Sequence, residues 1–248
     1  MRASLLVSIA CAACRFEPGG LAAGGTDGGA DATLGSGSEG RRLDGPNATA
    51  DAPKMDAPIV VGELTLAHAN QPDTTLDFTT DGTLDWAHWT SIGGPGRGVE
   101  YDHKVSGAAV NDVTTVRTGA VIQIFNVTIN EAWTDGTPTL ATTTNTGIGT
   151  VTGGLQFTIA ADSASTRTLK FYVGIKNATS RLDVALSDNS ATAVNDTTFT
   201  ATSSAVHGVY TITYRAASTG QHVTVTWSCT SNSSSTNSYV MALGETLQ

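Results

Sequence analysis

The chain has 248 residues, of which only 14% are charged, and it carries a formal net charge of −9 with a pI near 4.8. No Lys/Arg-rich run occurs in it, which argues against nucleic acid as a partner, because phosphate binding needs clustered cations. The weight of Thr, Ser, Ala, Gly and Val disfavours helix bundles and suits pleated sheet, where β-branched side chains pack well.

The first fourteen residues, M-R-A-S-L-L-V-S-I-A-C-A-A-C, place Arg2 ahead of a short apolar run that ends in small residues. That is the layout of an export signal, too short to span a bilayer as a mature helix. The segment resembles the lipobox of bacterial lipoproteins, in which small residues precede a cysteine that becomes acylated. Cys14 is the expected lipidation site because it leaves an apolar run of workable length, with Cys11 as the alternative. The resemblance implies a protein of the bacterial cell envelope, held by lipid to a membrane and facing the periplasm or the exterior.

Residues 15–58 are rich in Gly, Ala and Asp, with no aromatic residue after Phe16 and no periodic apolar pattern. Such a segment cannot bury enough surface to offset its ordering entropy, so a flexible, disordered tether is expected there. Gly35-Ser-Gly-Ser-Glu-Gly40 fits G-x-G-x-x-G, but no strand precedes it and no amphipathic helix follows, so it predicts no dinucleotide site.

From Ile59 to Gln248 short alternating runs are separated by turn residues. Leu64 to Leu66 opens the series. Asp73, Asp77, Asp81 and Asp85 then recur every fourth residue, but the intervening T-T-L, F-T-T and G-T-L are poor helix formers, and the regularity reads as coincidence. In Leu84-Asp-Trp-Ala-His-Trp89, period-two alternation sends Trp86 and Trp89 to opposite faces. Trp86 is expected in the core and Trp89 in solvent. Val121 to Ile129 reads as a strand, and Glu131-Ala-Trp-Thr-Asp-Gly-Thr-Pro138 as a loop carrying Trp133. Further strands follow at Leu155 to Ile159, Arg167 to Ile175, Leu182 to Leu186, Val209 to Tyr214 and Val223 to Cys229. Leu169, Phe171, Val173 and Ile175 face inward in the second of these, and Val223, Val225, Trp227 and Cys229 in the last, where the thiol is a small buried hydrophobe. The fold expected is all-β: a single antiparallel β-sandwich, jelly-roll-like, over 59–248.

The chemistry points to binding. No G-x-S-x-G nucleophile elbow is present, and Glu63, Glu100, Glu131 and Glu245 sit in no acid/base signature. The histidines show no metal-ligand spacing, so neither a catalytic residue nor a transition-metal site is expected. The turns at Asp81-Gly82 and Asp188-Asn189-Ser190 could hold structural calcium, and no other cofactor is indicated. An indole beside hydroxyls and carboxylates suits a sugar, whose apolar face stacks while its hydroxyls are hydrogen-bonded. Trp89 and Trp133 with Asp85, His88 and Asp135 are therefore the candidate ligand-binding set, and a glycan or surface polysaccharide the candidate partner.

The segments D-W-A-H-W, Y-D-H-K, W-T-D-G-T-P, R-T-L-K-F-Y-V-G, L-D-V-A-L-S-D and V-Y-T-I-T-Y-R-A resemble, taken together, a jelly-roll module of extracellular bacterial proteins that is similar to carbohydrate-binding modules. The resemblance spans most of Leu64 to Leu247 and implies a surface-displayed binder. An adhesive or structural protein that pairs with another protein through an edge strand is the alternative. A hydrolase with an unrecognised site stands third.

Overall fold

The regular structure of the described residues is almost all strand, and a computed structural model shows how the strands are joined. The structure describes residues 61–72, 74–91, 99–116, 121–124, 127–233 and 237–248; the expected leader, with Cys11 and Cys14, and the expected tether lie outside these. The first elements are β1 (Glu63–Asn70), β2 (Thr75–Asp77), α1 (Phe78–Asp81), β3 (Asp85–Ser91), β4 (Val99–Lys104), β5 (Thr114–Val116) and β6 (Val121–Ile124). Next come β7 (Asn130–Trp133), β8 (Gly136–Thr137), β9 (Thr142–Thr144), β10 (Gly147–Thr150), β11 (Gly153–Ala161) and β12 (Arg167–Lys176). The last are β13 (Ala178–Leu186), β14 (Val194–Asp196), β15 (Thr200–Ala201), β16 (Val206–Arg215), β17 (Gln221–Asn232) and β18 (Tyr239–Leu247).

A nine-stranded sheet runs in the order β1, β16, β12, β18, β3, β4, β8, with β10 on β18 and β6 on β10. A six-stranded sheet runs β14, β13, β17, β11, β5, with β15 on β13. The two sheets face each other as an antiparallel sandwich. Between them lies the main core, fed by alternate residues: Leu155, Phe157 and Ile159, Leu182 and Val184, Val223, Val225 and Trp227 from the smaller sheet, and Leu169, Phe171, Tyr210, Ile212 and Tyr214 from the larger. The inward positions expected from period two are therefore the ones buried. Cys229 is buried with them, and its thiol donates to the Ser231 carbonyl at 3.3 Å. At Ser187–Ser190 the chain turns with Asn189 in the left-handed region, φ 53°, a conformation that asparagine tolerates.

The outer face of the larger sheet is also covered over β12, β18 and β3. β12 and β18 show near-continuous burial because Tyr172, Met241 and Leu243 point away from the main core into a second cluster with Leu76, Phe78, Trp86, Ile129 and Trp133. A small sheet of β2, β7 and β9, in which β2 and β7 run parallel, supplies part of that cover. The rest is α1. Asp77 caps this single turn by accepting from Thr80 N–H at 3.0 Å and Thr80 Oγ1 at 2.8 Å, and Gly82 N–H closes onto the Phe78 carbonyl at 2.8 Å. A good cap is worth about 1 kcal/mol, more than the few tenths that each threonine costs in a helix. Of the four recurring aspartates only Asp77, as cap, and Asp81 belong to this turn; Asp85 opens β3, and Asp73 lies outside the described residues. Phe78 is set flat against the sheet at Gly244, where a Cβ would come within 2.6 Å of its ring. The run Val121–Ile129 is not one strand: β6 stops at Ile124, and Ile129 joins the second cluster just before β7.

Candidate functional site

β3 lies between β18 and β4, with Trp86 on one face and Trp89 on the other, as alternation requires. Both faces are covered. Trp86 and Trp89 are each 0% exposed, so the solvent-facing Trp89 expected from the sequence does not exist. Its ring packs on Phe157, with centroids 5.1 Å apart, in the main core. Alternation separates two rings, but it does not reveal whether a further layer closes the second face.

The other candidates divide along the same line. Trp133, at the end of β7, is 2% exposed and is no loop platform. It packs on Trp86 at 5.1 Å and His88 at 5.0 Å, and its Nε1–H donates to the Thr139 carbonyl at 2.8 Å. His88 is buried beside it, and Nε2 bonds the Thr146 carbonyl at 3.1 Å. Burial holds its pKa down to about 4, against smaller upward pulls from that carbonyl and from Asp102, so the ring is neutral at pH 7. Asp135 accepts from Lys104 Nζ at 2.7 Å, Thr79 Oγ1 at 2.7 Å and Trp86 Nε1 at 2.9 Å. Burial alone would raise its pKa, and these donors, with the Lys104 charge, hold it below the ordinary carboxylate value. Asp85, on the Trp89 side, is buried and accepts the backbone N–H groups of Trp86, Ala109 and Val110 at 2.8, 2.8 and 3.0 Å. Trp133, His88 and Asp135 are thus brought together around Trp86, and Asp85 and Trp89 are not. Apart from Asp135, whose side chain is 31% exposed, the contacts that use these side chains are interior ones.

The two turns considered for calcium have internal work. Asp188 accepts from Ser190 N–H, Ser190 Oγ and Ala217 N–H, and Asp81 faces Lys170 Nζ at 3.8 Å and the Tyr172 hydroxyl at 3.4 Å. Among the described residues no group of three or more His, Cys, Asp or Glu is placed to hold a metal ion.

Two of the Phe, Tyr and Trp rings among the described residues are partly exposed, Tyr101 and Tyr239. Tyr101 commits its hydroxyl to the Val110 carbonyl at 2.8 Å. Tyr239, the first residue of β18, lines a cleft of about 250 Å³ with Ile124, Val127, Thr128, Ser204 and His207. A neighbouring cleft of about 340 Å³ shares Thr128, Ala205 and His207 with it and adds Asn70 and Gln71. The wall is apolar where the second cluster reaches the surface through Ile124, Val127 and Met241, and polar where Thr128, Ser204 and the amides stand. Thr128 Oγ1 lies 3.5 Å from His207 Nδ1. Sequence reasoning missed this site because its parts come from four distant segments. The only local sign was a tyrosine placed directly after the Ser/Asn-rich stretch that precedes β18.

Elsewhere, a groove of about 400 Å³ between the edge strands β1 and β14 holds His68 and Asp196. The His68 ring lies between Phe199 and Tyr210, with centroids 4.6 and 4.7 Å away, and the Tyr210 hydroxyl donates to Asp196 at 2.8 Å. On the outer face of the smaller sheet Arg181 and Asp183 form a bidentate pair beside Thr224 and Thr226. Both features are charged, and both carboxylates are already occupied by neighbours.

No family model and no curated protein matches the chain. Among solved structures it is similar to the enzymatically active domain of bacteriophage CBA120 tailspike protein 4, at 10% identity and a TM-score of 0.23, over 49% of this chain and 19% of that one.

Proposed function

We propose that this chain is an extracytoplasmic binding module, lipid-anchored through Cys14, that takes up carbohydrate in the Tyr239 cleft. The observation that carries the reading is the pairing of one partly exposed aromatic ring with hydroxyl, imidazole and amide groups in a preformed cleft. A sugar ring offers an apolar face to stack and hydroxyls to bond, and this lining answers both. The reading moves the site away from Trp89 and Trp133 and keeps the chemistry for which they were singled out. A binding role fits better than hydrolysis, because glycosidases need a pair of carboxyl groups flanking the bond. Among the described residues the two clefts present none, and Glu131 and Glu245 are fully buried.

A glycan array followed by titration calorimetry tests the site. Ser204→Ala, at an exposed position, should weaken binding several-fold with no change in melting temperature, and Tyr239→Ala should abolish it. Retention of no glycan by the wild-type chain would overturn the reading. The anchor has its own test: labelled palmitate should enter the wild-type chain in bacteria and not the Cys14→Ser variant, and failure to label the wild type would refute lipidation.

A further inference from the structure

A third cleft, of about 350 Å³, opens beside the first two. Asn177, Thr179, Thr200, Thr202, Ser231 and Asn232 supply its polar lining. Thr202 faces this cleft and Ser204 faces the Tyr239 cleft, and two residues of chain span at most about 7 Å. The Thr202–Ser204 segment therefore borders both clefts. A second link joins them: Asn177, held in the left-handed region at φ 48°, donates from Nδ2 to the Asn237 carbonyl at 2.9 Å, two residues before Tyr239. Ser233 Oγ donates to the Asn177 carbonyl at 3.1 Å. These bonds tie Asn177, in the lining of the third cleft, to the residues just before Tyr239, and groups held in place ahead of a ligand lower the ordering cost of binding.

The polar groups of the lining, set among apolar side chains, share one chemical character. All three clefts present hydroxyl and amide groups, and His207 is the one titratable side chain besides the Tyr239 phenol that lines them among the described residues. This holds on a chain of net charge −9, on which two other grooves contain Arg181 with Asp183 and His68 with Asp196. Neutral hydroxyl and amide groups exchange hydrogen bonds with a neutral hydroxylated ligand without stranding a desolvated charge, whereas a carboxylated or sulfated ligand would find no lysine or arginine among the described lining residues. Clefts bordered by one short chain segment suit a ligand that continues past the aromatic ring better than a single terminal sugar.

We infer that the ligand is a linear neutral polysaccharide, bound as several consecutive units that run from Asn70 and Gln71, past Tyr239, across the Thr202–Ser204 segment to Ser231 and Asn232. The inference rests on the carbohydrate reading above and adds to it the length and charge of the ligand.

Calorimetry with the full chain and oligomers of two, four and six units tests it, using β-1,4-linked glucose, β-1,4-linked xylose, α-1,4-linked glucose and oligogalacturonate. Affinity for the neutral series that binds should rise by about tenfold or more from two units to six. Thr202→Ala and Ser231→Ala, both at exposed positions, should lower affinity for six units several-fold, leave two-unit binding unchanged and leave the melting temperature unchanged. Equal affinity for two and six units, or preference for the oligogalacturonate, overturns the inference while the Tyr239 cleft stands as a sugar site. Absence of binding across all four series overturns both.

Discussion

The two faces of β3 carry a tryptophan each, and they are closed in different ways. On the Trp89 face the cover is a second sheet whose strands alternate regularly, so each inward side chain meets another at the sandwich interface. On the Trp86 face the cover is irregular: one helical turn, a three-stranded sheet and a cluster of rings, with Phe78 stacked 6.2 Å from Trp133 and 5.9 Å from Tyr172. The polar accounting also differs. Trp86 Nε1–H donates to Asp135 at 2.9 Å, while Trp89 Nε1 is buried with no protein partner. The contrast is confined to the two indoles, since the Trp89 side has directed bonds of its own in Asp85, which accepts three backbone N–H groups.

The largest expected effect would show both faces to be core. Trp86→Ala and Trp89→Ala should each destabilise the fold by about 3–5 kcal/mol, the range for truncating a buried aromatic. A near-normal melting temperature for Trp89→Ala would mean that its face is open. The phenylalanine variants sharpen the contrast. Trp86→Phe leaves Asp135 short of a donor, at a cost of about 1–3 kcal/mol beyond the lost volume, whereas Trp89→Phe removes an unpartnered N–H. Urea titrations should therefore rank Trp86→Phe as the more damaging, and the reverse order would contradict the hydrogen-bond assignment.

Acid and base should act on the two faces in a defined order. Glu131 and His88 lie on the Trp86 side, and Glu245, in register with Ala87, lies on the Trp89 side. Burial pushes the Glu131 carboxyl up to about 9 from an ordinary 4.5, and Glu245 well above the same value. For each, the unfolded chain releases its proton first, so the stability present below pH 4.5 is lost as pH rises toward the folded pKa. The slope is about 1.4 kcal/mol per pH unit for each group. His88, held down to about 4 from 6.5, works in the opposite sense: its contribution is complete above pH 6.5 and is lost as pH falls through 4. Above pH 6.5 only the carboxyl effect remains, and the melting temperature should fall steadily from pH 6.5 to 9. Glu131→Gln should flatten that decline, and a flat wild-type profile would contradict the buried-acid assignment.

A smaller effect belongs to Cys229. Burial raises its thiol pKa, against weaker pulls from Asn232 and the Ser231 backbone. A thiol reagent should leave it unmodified until the protein unfolds. Fast labelling of the native state would place it at the surface.

The sandwich was legible because period two is a local signal: Leu169 to Ile175 and Val223 to Cys229 declare their inward faces within a few residues. What closed the second face of β3 was not local. Phe78 precedes Trp86 by eight positions and Trp133 follows it by forty-seven, so nothing within one strand announces that they meet. The candidate site failed for the same reason. Trp133, His88 and Asp135 do converge, as the polar company of the indoles suggested, but a layer assembled from distant segments turns that convergence inward. The Tyr239 cleft is likewise made where β1, β16, β18 and the segment before β7 come together.

All four tryptophans are structural, and the binding ring proposed in their place is the partly exposed Tyr239. Acrylamide quenching of tryptophan emission addresses this directly, since Trp86, Trp89 and Trp227 are 0% exposed and Trp133 is 2% exposed. Blue-shifted emission is expected that acrylamide scarcely quenches in the folded chain and quenches fully in urea. A red-shifted, readily quenched component in the native state, protected by added glycan, would put a tryptophan back at the surface and contradict it.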